Sequence, residues 1–182
     1  MKNVFLWSLL CITCLVAFKP AFPAFLEEVD AAQSKVMFRV GHLGGKVSGT
    51  FSGLQGSVFF DENNLAGSSM DVSLDASSVD TENRARDKDL RKEKFFHVEK
   101  YPRVSFRSKE ITRIATGFQV VGDLTIKDQT HEETIPFTVE KTESGSLFKG
   151  SFKVDRKKYD LGKGSFPPIG KEVEVEITAL VK

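Results

Sequence analysis

The chain has 182 residues, 26 Lys and Arg against 25 Asp and Glu, a formal net charge of +1 and 40% hydrophobic residues. So even a balance recruits neither nucleic acid nor an anionic membrane surface, and a chain of this length buries a core without covalent help. Its two cysteines, Cys11 and Cys14, both lie near the N-terminus, which excludes disulfide staples and thiol chemistry from everything downstream.

Residues 1 to 18, MKNVFLWSLLCITCLVAF, place one lysine ahead of an apolar run that suits a signal-peptide core and is shorter than a typical membrane-spanning helix. A signal peptide is therefore expected over residues 1–24, with an exported mature domain, periplasmic or secreted, over residues 25–182. Lys19, Pro20 and Phe22 fit the small-residue rule for cleavage poorly, so an uncleaved anchor is the alternative. Neither cysteine sits in a convincing lipidation context. Without Lys2 and Lys19, 24 basic side chains face 25 acidic ones.

Beyond the leader the dominant signal is period-two alternation, the mark of half-buried antiparallel strands. Val36, Phe38 and Val40 form one inward set, followed by Val47, Gly49 and Phe51, then Val58 and Phe60, then Met70, Val72 and Leu74. After a long charged insert the pattern resumes at Val104 and Phe106 and continues through Phe118, Val120, Gly122, Leu124 and Ile126. Ile135, Phe137 and Val139 follow, then Phe148, Phe152 and Val154. The last strand, KEVEVEITALV, puts Val173, Val175, Ile177, Ala179 and Val181 on one face. About eight strands joined mostly in sequence fit a sandwich or an up-and-down barrel. Sixteen phenylalanines against one tryptophan and two tyrosines favour the barrel, since phenylalanines line an apolar interior without polar atoms that need partners. Gly49 and Gly122, on the same inward faces as large rings, are expected to leave room inside.

The insert from Ser78 to Pro102 interrupts this pattern. Between Thr81 and Lys94 charged residues crowd the sequence and Leu90 is the single large apolar residue. A short helix is predicted, capped by Thr81, with Asp87 paired to Arg91 one turn on and Leu90 laying it across the barrel end. Phe95 and Phe96 anchor its exit, and Pro102 keeps it from running into the strand that begins near Val104. A plain charged surface loop is the bland alternative.

The ordered set Ser78-Val79-x-Thr81, Arg86-Asp87, Leu90, Phe95-Phe96, Tyr101-Pro102 and Phe106-x-Ser108 resembles the signature block of the YceI-like family of bacterial lipocalin-like, polyisoprenoid-binding proteins. The likeness extends to Ser34-x-Val36-x-Phe38-x-Val40-x-His42, Gly49-x-Phe51 with Gly56, Gly122-x-Leu124-Thr125-Ile126 and Asp155-Arg156-x-x-Tyr159. Asp89 stands where many members carry histidine. The resemblance implies a lipocalin-like antiparallel eight-stranded β-barrel with a short helical segment, enclosing an apolar tunnel for an isoprenoid or similar chain.

Catalytic chemistry has little to build on. His42, His97 and His131 show no metal-site spacing, and neither a GxSxG nor a Gly-rich phosphate loop occurs. His97 is expected to face water and His42 to sit at the barrel rim. The expectation is a binding protein rather than an enzyme, without cofactor, metal or nucleic-acid partner, that takes an isoprenoid or fatty-chain lipid. The residues expected to touch the ligand are Phe38, Val40, His42, Phe51, Met70, Phe106, Phe118, Phe137, Phe148 and Phe152, with Leu90, Phe95 and Phe96 closing the mouth. Arg86, Asp87, Arg156 and Tyr159 either form a polar rim or tie loops together, and Phe166 with Pro167-Pro168 either adds a rim element or plugs a loop. An exposed edge strand or the charged insert offers a surface for a homodimer. The rival to lipid binding is an envelope stress or protein-interaction module whose barrel is packed solid, without ligand.

Overall fold

The structure, a computed structural model, describes residues 27–164 and 169–182. The expected signal peptide and the Phe166-Pro167-Pro168 segment lie outside those residues. Ten strands form one curled antiparallel sheet: β1 (Glu27–Glu28), β2 (Lys35–His42), β3 (Gly45–Phe51), β4 (Gln55–Phe59), β5 (Ser69–Asp75), β6 (Arg103–Ile114), β7 (Gly117–Ile126), β8 (Gln129–Thr142), β9 (Gly145–Asp155) and β10 (Ile169–Val181). Their spatial order is β1-β4-β5-β6-β7-β8-β9-β10-β2-β3. The all-β, lipocalin-like architecture is as expected, with nine strands of five to fourteen residues plus the two-residue β1. Among the described residues one α-helix, α1 (Arg84–Leu90, seven residues), interrupts the strands.

The alternation works as physical chemistry requires. In β7, ten residues alternate strictly between buried and half-buried, with Phe118, Val120, Gly122, Leu124 and Ile126 inward. A shift by one residue would turn all five to the other face, so burial itself locks the register Phe118↔Phe137 with β8 and Phe106↔Leu124 with β6.

Curling brings β3 and β4 towards each other, and short segments rather than a ladder bridge the seam. Beside β4, β1 pairs with Val58 and Ser57, and Val29 continues to Val181 of β10. Glu28 and Lys182 exchange backbone hydrogen bonds of 2.8 and 3.0 Å. On the other edge Thr50 of β3 exchanges bonds of 2.8 and 3.0 Å with Asp80, just ahead of α1. The polar edges that an open sheet would leave unpaired are thereby partly covered.

A second seam opens between β8 and β9. These strands pair only from Phe137↔Gly150 to Thr142↔Gly145, so residues 129–136 of β8 have β7 alone as a neighbour. Pro136, with no N–H to donate, sits where β9 departs. The segment 156–164 fills the gap. Tyr159 is fully buried there and donates its hydroxyl to Glu133 Oε1 at 3.1 Å, and the His131 Nε2 lies 2.9 Å from the Lys158 carbonyl oxygen.

Candidate functional site

The interior has two unlike halves. At the end where β7 begins, Phe60, Phe118, Phe137 and Phe148 interlock. Phe60 meets the other three edge-on at 5.0 to 5.8 Å between ring centroids, while Phe137 stacks on Phe118 at 5.6 Å and on Phe148 at 6.0 Å. Such geometry favours aromatic contact beyond simple area burial. This end is solid.

Towards the opposite end lies a cavity of about 730 Å³, within the range of about 300 to 1,000 Å³ usual for small-molecule sites. Its wall is overwhelmingly aliphatic and aromatic and draws on β2, β3 and β5 to β10 together with α1 and the residues after it. Of the residues expected from sequence to contact a ligand, Phe38, Val40, His42, Phe51, Leu90, Phe95, Phe96, Phe106 and Phe152 line it. Met70, Phe118, Phe137 and Phe148 do not. They belong to the strand ends at the solid half, where inward orientation leads into packed rings or core rather than open space. Inwardness was legible from alternation, but depth along the barrel was not.

The two glycines expected to make room do something else. A Cβ at Gly49 would lie 2.7 Å from Phe38 Cε1 and 2.8 Å from Thr81 Cγ2, and one at Gly122 would lie 2.6 Å from Phe106 Cζ and 2.9 Å from Ser108 Cα. Both glycines admit a neighbouring ring against the backbone, which is the close approach that only a missing Cβ permits.

The charged insert forms one side of the cavity. Its helix is capped by Asn83, whose side chain accepts from the Arg86 N–H, not by Thr81 as the sequence suggested. Thr81 instead holds Asp87. Asp87 Oδ1 accepts from the Thr81 hydroxyl at 2.6 Å and from its backbone N–H at 2.9 Å, and this carboxylate is 6% exposed. Arg86 closes the knot, donating from Nε to Thr81 Oγ1 at 2.8 Å and from Nη2 to the Thr81 carbonyl at 2.9 Å. The expected pairing of Asp87 with Arg91 is absent, because Arg91 reaches the carbonyls of Ser77 and Val79 at 2.7 and 2.8 Å. Leu90 packs against the core, and Phe96 meets Phe51 edge-on at 5.2 Å, which seats the segment after the helix on the barrel wall.

The four expected rim residues divide accordingly. Arg86 and Arg156 line the cavity, whereas Asp87 and Tyr159 do not. Asp87 is buried under Thr81, and Tyr159 is fully enclosed at the β8 seam, where burial and the Glu133 carboxylate push its phenol well above the usual tyrosine range. Arg156 is itself buried. Its guanidinium donates to the carbonyls of Gly170, Leu161 and Ile169 at 2.7, 2.5 and 2.8 Å, tying the chain after β9 to the start of β10.

Sequence reasoning missed Leu54, Leu161, Lys92 and Lys94, which also face the cavity. All four sit outside strands, where no period-two pattern marks an inward side. Asp89 lines the cavity too and pairs with Lys92 at 2.7 Å, and that contact holds its carboxyl below the usual range. Of the histidines, His42 stands at the mouth, His97 is half-buried against Tyr101 at 5.7 Å, and His131 serves the β8 seam. Among the described residues no three His, Cys, Asp or Glu side chains gather as a metal set would require.

A curled antiparallel sheet, solid at one end and hollow at the other, with Arg86, Asp89, Lys92, Lys94 and Arg156 among the residues lining the hollow, defines an apolar-cavity barrel of lipocalin type. This chain belongs to the YceI-like family, whose domain model matches residues 28–180. It is 40% identical over 101 residues to a UPF0312 protein of Yersinia enterocolitica, a match covering 55% of this chain and 53% of that protein. The chain thus aligns with about half the length of the curated relatives it matches. Among solved structures it resembles Burkholderia cenocepacia BcnA with a TM-score of 0.78 and 26% identity, over 85% of this chain and 99% of BcnA. It also resembles a polyisoprenoid binding domain from Saccharophagus degradans implicated in plant cell wall breakdown, with a TM-score of 0.71 and 15% identity, over 86% of this chain and 98% of that domain. The latter likeness concerns the fold.

Proposed function

We propose that this protein binds the hydrocarbon tail of an isoprenoid or fatty amphiphile in the cavity and carries or sequesters it in the aqueous envelope, acting by binding rather than by covalent chemistry. The observation that carries this reading is a cavity of about 730 Å³ whose wall is overwhelmingly aliphatic and aromatic and includes a few charged side chains, which suits a molecule with a long apolar tail and a compact head. Each methylene removed from water contributes about 0.8 kcal/mol, so affinity grows with tail length. The Saccharophagus degradans domain of the same fold, described as polyisoprenoid binding, favours an isoprenoid over other tails. Export rests on the lysine-led apolar run at the N-terminus. A protein-interaction module with a packed barrel has less support, because only the phenylalanine-filled half of this interior is solid.

The test is extraction of native protein, purified without detergent, with organic solvent, followed by mass spectrometry of the extract. A stoichiometric lipid is expected. A clean blank, together with failure of the purified protein to take up any tailed amphiphile, would sink the reading.

A further inference from the structure

Whole-chain charge is close to zero, but charge at the cavity is not. Five side chains that carry a charge at neutral pH line it: Arg86, Lys92, Lys94 and Arg156 against Asp89. Lys92 is paired with Asp89. Among the described residues, none of Arg86, Lys94 and Arg156 has a carboxylate within 4.0 Å, and the undescribed segments contain neither Asp nor Glu to supply one. Arg156 is satisfied by backbone carbonyls, so Arg86 and Lys94 are the cations left to face a ligand.

We propose that the mouth selects a tail ending in an oxyanion, a phosphate or carboxylate, recognised by Arg86 and Lys94. This inference rests on the reading that the cavity takes a hydrocarbon tail. Two facts go beyond the sign of the charge. Thr81 holds the Arg86 guanidinium through both Nε and Nη2, which presets its orientation before any ligand arrives. Among the described residues Lys94 Nζ has one contact, a long one of 3.4 Å to the Gly164 carbonyl, which leaves it donors for a head group. Both cations adjoin apolar walls, where low polarisability focuses their field into the opening. A charged hydrogen bond to such a fixed donor is stronger than a neutral one.

The experiment compares ligands with identical tails by isothermal titration of the full mature protein: farnesyl phosphate against farnesol, and palmitate against hexadecanol, with inorganic phosphate as competitor. At least tenfold preference for the oxyanion is expected, weakening as salt rises. Preference in the phosphate pair alone assigns a phosphate head, and preference in both pairs assigns oxyanions generally. Lys94→Gln, on an exposed side chain that folding does not need, should bring the ratio towards one, and Lys94→Glu should invert it. Arg86→Gln provides a second readout of the same ratio. Equal affinity within both pairs overturns the head-group inference and leaves tail binding standing. Binding of none of the four overturns both. Displacement of farnesyl phosphate by an equal concentration of inorganic phosphate also overturns it, since the site would then serve a small anion.

Discussion

Thr81 and Asp87, six residues apart, meet at one buried carboxylate oxygen: Asp87 Oδ1 takes both the hydroxyl and the backbone N–H of Thr81, while that hydroxyl accepts from Arg86. The chain entering α1 is thus locked to the first turn of the helix. Thr81→Val leaves the carboxylate without its hydroxyl donor in a buried setting, and Arg86 without one acceptor. A loss of about 1 to 3 kcal/mol is expected in urea denaturation, with faster release of bound lipid because the cavity wall formed by the insert loosens. Unchanged stability would mean that this knot does not hold the insert.

The two halves of the interior predict opposite responses to substitution. Phe137→Ala, in the solid half, removes a ring stacked on two others and should cost about 3 to 5 kcal/mol while leaving lipid stoichiometry intact. Val175→Trp, on the cavity wall, should reduce lipid uptake with little loss of stability, because the added ring enters open space. Thermal melts and lipid extraction on both variants check the pair.

Gly49→Ala tests the close approach of Phe38. The new methyl meets a ring that can move and a Thr81 methyl that cannot, since Asp87 fixes Thr81. Overpacking of about 1 to 3 kcal/mol is expected, relieved by rotation of Phe38 into the cavity. Weaker lipid binding together with lower stability is the expected outcome by titration and denaturation.

Tyr159 predicts an alkaline limit. Its folded pKa lies above the ordinary 10.0, so above that pH the unfolded chain gives up the proton first and binds fewer protons than the native state. The contribution is fully present below pH about 10 and declines as pH rises beyond it. Tyr159→Phe, with no phenol to ionise, should be less stable than wild type at neutral pH through loss of the Glu133 hydrogen bond, yet show a shallower decline. Urea midpoints measured between neutral and strongly alkaline pH give the comparison.

Period two marks which residues face inward, but whether an inward residue meets the cavity or packed rings follows from its position along the barrel. Phe38, Val40, Phe106 and Phe152 were marked inward and line the cavity. Phe118, Phe137 and Phe148 carried the same mark and fill the solid end. Alternation reports which face a side chain takes, and the ends of a barrel are indistinguishable to it. Likewise, Asp87 and Tyr159 look like available polar groups in sequence but are consumed by Thr81 and Glu133, partners six and twenty-six residues away.

The amino-acid sequence by itself determined the antiparallel strands, the apolar interior and the charged insert, because each arises from local residue pattern and hydrophobicity. Only the tertiary structure decided which half is hollow and that Arg86 and Lys94 line it together with Arg156, far from them in the chain. Those properties depend on how strands of unequal length curl and where distant loops land, and no local rule encodes them.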